Sequence, residues 1–183
     1  MTKLPIVRYA DLPPQPWKNG KGITRTLFSD ASESSGEWTW KISIAEITGT
    51  QPYSHYSGVR RGQVALGPGA VDLVLNGRQV LLPVEGTIVF EGEDDVSATP
   101  HSEGFLDLNV MGFRECWNPA VSIVDSPRLQ FEDGVLQVLI ALEDTCTLNG
   151  EQLSYLDAAQ LLEDSPIEAS GKFVVASLTH QHA

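Results

Sequence analysis

The 183-residue sequence predicts an all-β fold built from two similar units, fused β-barrels of the jelly-roll type with little helix. Three observations carry that prediction. Apolar and polar residues alternate with period two, most clearly from Trp38 to Ala45, the pattern of a half-buried strand. Short apolar runs recur at intervals of about ten residues, separated by turn residues. Leu-Asn-Gly occurs twice between apolar runs, at 75–77 and 148–150. Asn-Gly is the dipeptide best suited to the positive φ angles of a two-residue hairpin turn.

Taken in order, residues 11–22 hold three prolines and two glycines and read as a loop. Ile23–Phe28 is a short extended run. Glu37–Ile47 is the alternating strand, with a polar face of Thr39, Lys41 and Ser43. Gln63–Leu66, Ala70–Leu75, Arg78–Leu82, Thr87–Phe90, Val96–Ala98 and Phe105–Phe113 follow as strands. After Trp117-Asn118-Pro119 the pattern resumes at Val121–Val124, Val135–Leu142, Cys146–Leu148, Gln152–Ser154 and Phe173–Leu178. Tyr155–Leu162 is the one helix candidate, although aligning the two hairpins sets it opposite Val84–Phe90, which reads as strand. The same alignment sets Phe105–Val110 opposite Phe173–Leu178. The expected division is therefore residues 1–115 and residues 116–183, the second unit being a degenerate copy of the first.

Twelve basic residues stand against 24 acidic ones, a net charge of −12. That balance argues against nucleic acid or an anionic membrane as a direct partner, since both select Lys and Arg. The charge is uneven. Residues 1–60 hold seven basic and five acidic side chains, and residues 61–183 hold five and nineteen, so an anion is better received in the first third. The N-terminus lacks the apolar run of a secretory leader and no apolar run reaches membrane-spanning length, so a cytoplasmic location is expected. Cys116 and Cys146 are isolated from each other and from any CxxC pattern, and reduced thiols are expected.

The histidines do not form a metal set: His55 stands alone, His101 follows Pro100 in an acidic turn, and His180 and His182 lie in the last four residues. No metal or other cofactor is expected. Trp17-Lys18-Asn19-Gly20-Lys21-Gly22-Ile23-Thr24 is the most unusual segment. Its glycines let backbone approach a ligand, its lysines supply charge and Asn19 offers paired donor and acceptor. It is also readable as a structural turn, and its spacing is not that of a P-loop.

The hairpin followed by Gly86-Thr87-Ile88-Val89-Phe90-Glu91-Gly92-Glu93 is similar to the small barrels called cupins, without the His-x-His and Glu of the metal-binding members. Five ordered blocks extend the likeness: Trp17–Thr24, Trp38–Ala45, Pro52–Arg61, Phe90–Glu93, and Asp107-Leu108-Asn109-Val110-Met111. Together they resemble the HutD/Ves family over roughly residues 10–115, with Ser57 where the family usually has Pro and Gly67-Pro68-Gly69 replacing its more usual turn. The resemblance implies a bicupin in a bacterial cytoplasm, associated with histidine utilisation. Members are thought to limit that pathway by sensing a small carboxylate intermediate such as urocanate, formiminoglutamate or formylglutamate.

With that resemblance the candidate ligand-binding residues are Arg61, Asn19, Thr24, His55, Asn109, Asp107 and Trp17. Arg61 offers a planar fork matched to a carboxylate, while Arg60 points the other way on a strand. Asp107, Asn109 and Met111 share one strand face and Leu106, Leu108 and Val110 the other. Either face could be the inner one, and the barrel reading turns the polar face inward. His55 either donates to a ligand or caps a turn, and core packing is the expected role for at least two of Trp17, Trp38 and Trp40. The expected partner is a small anionic metabolite, with no direct nucleic-acid or membrane partner and a homodimer possible through the second unit. No catalytic residue is assigned. The alternatives are a metal-independent cupin isomerase or hydrolase using Asp107 and His55 as acid and base, and a carbohydrate-binding β module.

Overall fold

The structure, a computed structural model, describes residues 4–32, 34–162 and 167–181. In chain order the strands are β1 (Ile6–Val7), β2 (Gln15–Pro16), β3 (Gly22–Ser29), β4 (Trp40–Ile47), β5 (Gln51–Pro52), β6 (Val59–Gly67), β7 (Val71–Leu75), β8 (Arg78–Leu82) and β9 (Thr87–Glu91). They continue as β10 (Val96–Pro100), β11 (Phe105–Phe113), β12 (Trp117–Asp125), β13 (Val135–Ala141), β14 (Thr147–Leu148), β15 (Glu151–Gln152), β16 (Ala158–Gln160), β17 (Ala169–Ser170) and β18 (Lys172–His180). Among the described residues the helical content is one three-residue 3-10 turn, Tyr9–Asp11.

The strands form four antiparallel sheets. A six-stranded sheet, β2-β3-β4-β11-β6-β9, faces a four-stranded one, β5-β10-β7-β8; a five-stranded sheet, β1-β16-β13-β18-β12, goes with a three-stranded one, β15-β14-β17. The order β11-β6-β9 over β10-β7-β8 recurs as β18-β13-β16 over β17-β14-β15. Both hairpin turns adopt the expected conformation, with φ of 49° and 79° at Asn76-Gly77 and 50° and 80° at Asn149-Gly150. Among the described residues no sheet closes on itself. The expected closed barrels are thus not seen among the described residues, whose sheets pack as open layers.

Strand alternation sorts the side chains into three cores. One face of the six-stranded sheet (Ile42, Ile44, Val64, Leu66, Leu108, Val110) packs against Val138, Ile140, Val174, Ala176 and Leu178 of the five-stranded sheet. This seam is tight enough that a Cβ on Gly112 would lie 2.7 Å from Trp117 and 3.1 Å from Leu178. Ile47, Ala65, Val71, Leu73, Leu82, Ala98 and Phe105 form a core inside the first sandwich. Leu139, Ala141, Cys146, Leu148, Leu153, Phe173 and Val175 form one inside the second.

One expectation is corrected by packing. Tyr155–Leu162 is not a helix: Leu156 has φ +69° and Ala158–Gln160 is a strand against β1 and β13. Its neighbours Ala158 and Ala159 are both fully buried, one in the seam and one in the second core. A strand covered on both faces loses its alternation and mimics a buried helical turn. Strand β1 also belongs to the second unit's sheet, pairing Ile6 with Ala159 and Val7 with Ala158. Arg8 fastens it there, donating to Asp157 at 2.7 Å and Glu151 at 2.6 Å. Both cysteines are free, Cys146 buried and Cys116 half-buried. No helix among the described residues is long and apolar enough to cross a membrane.

Candidate functional site

The face of the six-stranded sheet turned away from the seam is polar, and a cavity of about 490 Å³ opens over it inside the first sandwich. Pairing registers arrange this face as a grid. Lys41, Met111 and Arg61 stand side by side across β4, β11 and β6; Ser43, Asn109 and Gln63 form the next row, and Ala45, Asp107 and Ala65 the third. The loop from Gln15 to Asn19 and the segment from Pro52 to Tyr56 wall the opening. The alternation that puts Ile42, Ile44, Leu108 and Val110 in the seam thus turns Lys41, Ser43, Asp107 and Asn109 into the cavity.

Arg61 is only 7% exposed. Its guanidinium carbon lies 5.2 Å from the Tyr53 ring centroid, 5.7 Å from Tyr56 and 5.3 Å from Phe90, within cation–π range of all three. Among the described residues no carboxylate pairs with it, and its buried Nε has no acceptor. Burial lowers its pKa, an effect partly opposed by the charge of Asp107. A buried guanidinium without a counter-ion is costly unless an anion arrives to satisfy it.

Asp107 is equally buried. Tyr53 donates its hydroxyl to Asp107 Oδ2 at 3.1 Å and accepts from Gln63 Nε2 at 2.9 Å. Oδ1 of Asp107, Oδ1 of Asn109 and Oε1 of Gln63 are buried without donors. Burial is the main cause that pushes the Asp107 carboxyl up to about 6, against the lowering effect of the Arg61 charge. Burial likewise drives the Tyr53 phenol well above its ordinary range, with the Asp107 charge adding to it.

The other expected residues divide. Trp17 walls the cavity, donating from Nε1 to Thr24 Oγ1 at 2.8 Å. Its ring lies so close over Gly22 that a Cβ there would stand 2.8 Å from it and 2.6 Å from the Glu46 carbonyl. Asn19 also lines the cavity, but its Oδ1 accepts from the Lys21 N–H at 3.0 Å, a local turn bond. Arg61, Asp107, Asn109, Trp17, Asn19 and Thr24 therefore converge on one space. His55 does not: it is exposed on the Pro52–Tyr56 segment and is not among the lining side chains, so it stands apart from Asp107. Arg60 points outward, pairing with Glu91 at 2.6 Å. Of the tryptophans, Trp40 is in the seam, and Trp38 packs on Tyr56 and Phe113 at 6.0 and 5.6 Å.

Lys41, Tyr53, Tyr56 and Gln63 complete the site and were not singled out from the sequence. Lys41 lay on a strand face read as polar, with nothing to say that this face was internal. The tyrosines stand three residues apart on either side of Ser54-His55, and their closeness to His55 was the available signal. Among the described residues no three His, Cys, Asp or Glu side chains gather as a metal set. His180, at the end of β18, meets Trp117 edge-on at 4.9 Å, while His182 lies outside the described residues.

Comparison with known proteins places this site in a family context. The family model named HutD matches residues 9–176. An uncharacterised 21.2 kDa protein from the hutC 3′ region of Pseudomonas putida is 31% identical over 113 residues, covering 61% of this chain and 59% of that protein. Protein Ves of Citrobacter koseri is 33% identical over 127 residues, covering 65% and 64%. The chain thus spans about three fifths of the length of these curated relatives. Among solved structures, HutD from Pseudomonas fluorescens SBW25 (formate condition) superposes with a TM-score of 0.85 at 24% identity, over 98% of this chain and all of that one. A cupin 2 conserved barrel domain protein from Leptotrichia buccalis superposes at 0.58 and 8% identity over 98% of both chains, a likeness of fold alone.

Proposed function

The chain belongs to the HutD family, and from that premise we propose that it is a small-molecule-binding protein whose first unit takes up an anionic intermediate of histidine degradation and thereby limits the pathway. The observation that carries the ligand class is Arg61: a buried guanidinium, caged by three rings and lacking a carboxylate partner, aimed into a cavity large enough for a metabolite. In so dry a setting a bidentate carboxylate contact is strong. Trp17 shapes the wall, Asn19 and Thr24 hold that wall in place, and Asp107 and Asn109 offer acceptors to N–H or O–H groups of the ligand.

The likeness to cupin barrels and the repeated strand order support reading the chain as a bicupin, with residues 1–115 as the ligand-binding unit and 116–183 as its degenerate companion. A cytoplasmic location and a regulatory role follow from the family's association with histidine utilisation. A metal-independent isomerase or hydrolase is the competing reading. Asp107 favours it, because a buried carboxyl near 6 can exchange a proton at neutral pH; the exposed position of His55 removes the base that would have been its partner.

Calorimetry with urocanate, formylglutamate and glutamate on wild type and Arg61→Ala tests the proposal. Saturable binding by one of them, weakened about 10- to 100-fold in the variant, is expected for a lost charge-assisted contact. Absence of binding, or a variant that binds as well as wild type, ends the carboxylate reading. Turnover of any of the three would replace the regulator with the enzyme.

A further inference from the structure

The grid that presents Arg61 also presents a second cation that no ligand role has yet absorbed. Lys41 and Arg61 flank Met111 in one row, two strand spacings apart, so their backbones stand about 10 Å from each other. Both side chains line the cavity, and the residue between them is apolar. Lys41 is half-buried and, among the described residues, pairs with no carboxylate. Burial alone lowers its pKa; no neighbouring acid offsets the loss of hydration. Asp107, the one acidic side chain lining the cavity among the described residues, sits two rows away. A chain of net charge −12 thus keeps, in one cavity, two cations in a row without anions.

Resting on the carboxylate reading above, we propose that Lys41 is the second anchor of the site, and that the ligand is a short dicarboxylate held at one end by Arg61 and at the other by Lys41. The two cations differ in kind. Arg61 is fixed by its ring cage and suits a bidentate carboxylate, while the lysine ammonium is a point charge on a flexible stem that adapts to the second. Monocarboxylates satisfy only the first. The role of Lys41 is discrimination between a ligand with two charges and one of the same shape with a single charge.

Glutarate and its monoamide make the test, because glutarate is symmetric: whichever end becomes the amide, the remaining carboxylate is free to take Arg61. Titration calorimetry on wild type is expected to show glutarate bound at least about tenfold more tightly than the monoamide, the range for one charge-assisted contact. In Lys41→Met the preference is expected to collapse to within about twofold, with monoamide affinity unchanged. Lys41→Gln, which keeps a polar head, serves if the methionine variant melts below wild type. Equal binding of both probes by wild type, or a preference that survives in the Lys41 variants, overturns the second anchor; loss of monoamide binding in Arg61→Met would still uphold the carboxylate reading. If wild type binds neither probe, the dicarboxylate proposal falls, and the carboxylate reading is decided by the urocanate, formylglutamate and glutamate titrations above.

Discussion

Strands β6 and β13 carry Gln63-Val64 and Gln137-Val138 at equivalent places, and Phe105, which opens β11, corresponds to Phe173, the second residue of β18. Between these fixed points the inner faces diverge. Arg61 of the first unit corresponds to Val135 of the second, Ala65 to Leu139, Asp107 to Val175 and Asn109 to Ser177. The outward faces match in character, since Val64, Leu108 and Val110 meet Val138, Ala176 and Leu178 across the seam. The strand order of the first sandwich thus recurs in the second. In the second copy Leu139, Phe173 and Val175 fill the interior; in the first, polar and small residues leave a cavity. Each large apolar side chain buried in the second copy and the seam contributes about 1.5–3 kcal/mol, and that apolar packing offsets the cost of unpaired polar groups in the first.

The comparison is broken most directly by giving the second unit the first unit's carboxyl. Val175→Asp places a lone charge in a packed apolar core and is expected to lower stability by about 3–5 kcal/mol in urea unfolding. A loss below about 1 kcal/mol would mean that this interior is wetter than its lining suggests. The reciprocal change, Asp107→Asn, is read from pH dependence. The folded carboxyl titrates near 6 against an ordinary 3.8, so the native state binds the proton more tightly than the unfolded chain does. Stability present below pH 4 is therefore lost as pH rises through 6, by on the order of 3 kcal/mol. The asparagine variant should flatten that decline in denaturation curves taken across pH 4–7. The groups facing Asp107, namely Tyr53, Arg61, Gln63 and Asn109, remain in both proteins, and the difference profile isolates the carboxyl.

Arg61→Met makes the first interior resemble the second. Replacing an unpaired buried cation with an apolar side chain is expected to leave stability unchanged or raise it by about 1–2 kcal/mol, while carboxylate affinity falls about 10- to 100-fold. A fall in melting temperature would show that the ring cage stabilises the fold rather than holding the cation ready. The smallest effect tests the frame itself. Gly77→Ala and Gly150→Ala each force a side chain into positive φ where nothing lies within 4 Å of the added Cβ for Gly77 or Gly150. Each should cost about 1 kcal/mol, and the two costs should agree within a few tenths. Unequal values would show that the hairpins carry different loads despite their shared geometry.

Much of the frame was legible from the chain because strands with one face buried and one polar keep their period. The hairpins at Asn76 and Asn149, the repeat, and the opposite directions of Arg60 and Arg61 all follow from that alternation. What it does not reveal is which polar face encloses a cavity. Lys41 and Ser43 have the pattern of a solvent-facing strand, since the inner wall of a hollow sandwich and the outer surface of a solid one have the same composition. Alternation fails outright at Ala158–Gln160, covered on both sides, and at Ile6–Val7, too short for any period. His55 looked like its neighbours Tyr53 and Tyr56, and only the course of the loop separated it from them.

The crossing of β1 has a consequence for how the protein is made. Ile6 leaves the ribosome about 150 residues ahead of Ala159, the partner that completes its ladder. At synthesis rates of about 5–20 residues per second, that is a wait of roughly 10–30 seconds, during which the sheets of the first unit can already assemble. The stretch carrying Trp17 and Asn19 is held within the six-stranded sheet, by the pairing of Gln15 and Pro16 with Thr24 and Ile23 and by the Trp17–Thr24 bond, whereas Ile6–Tyr9 before it finds its partners only in the later strands. The wall of the cavity can therefore form together with its floor, and an interrupted chain would leave β1, not the pocket, without its partner.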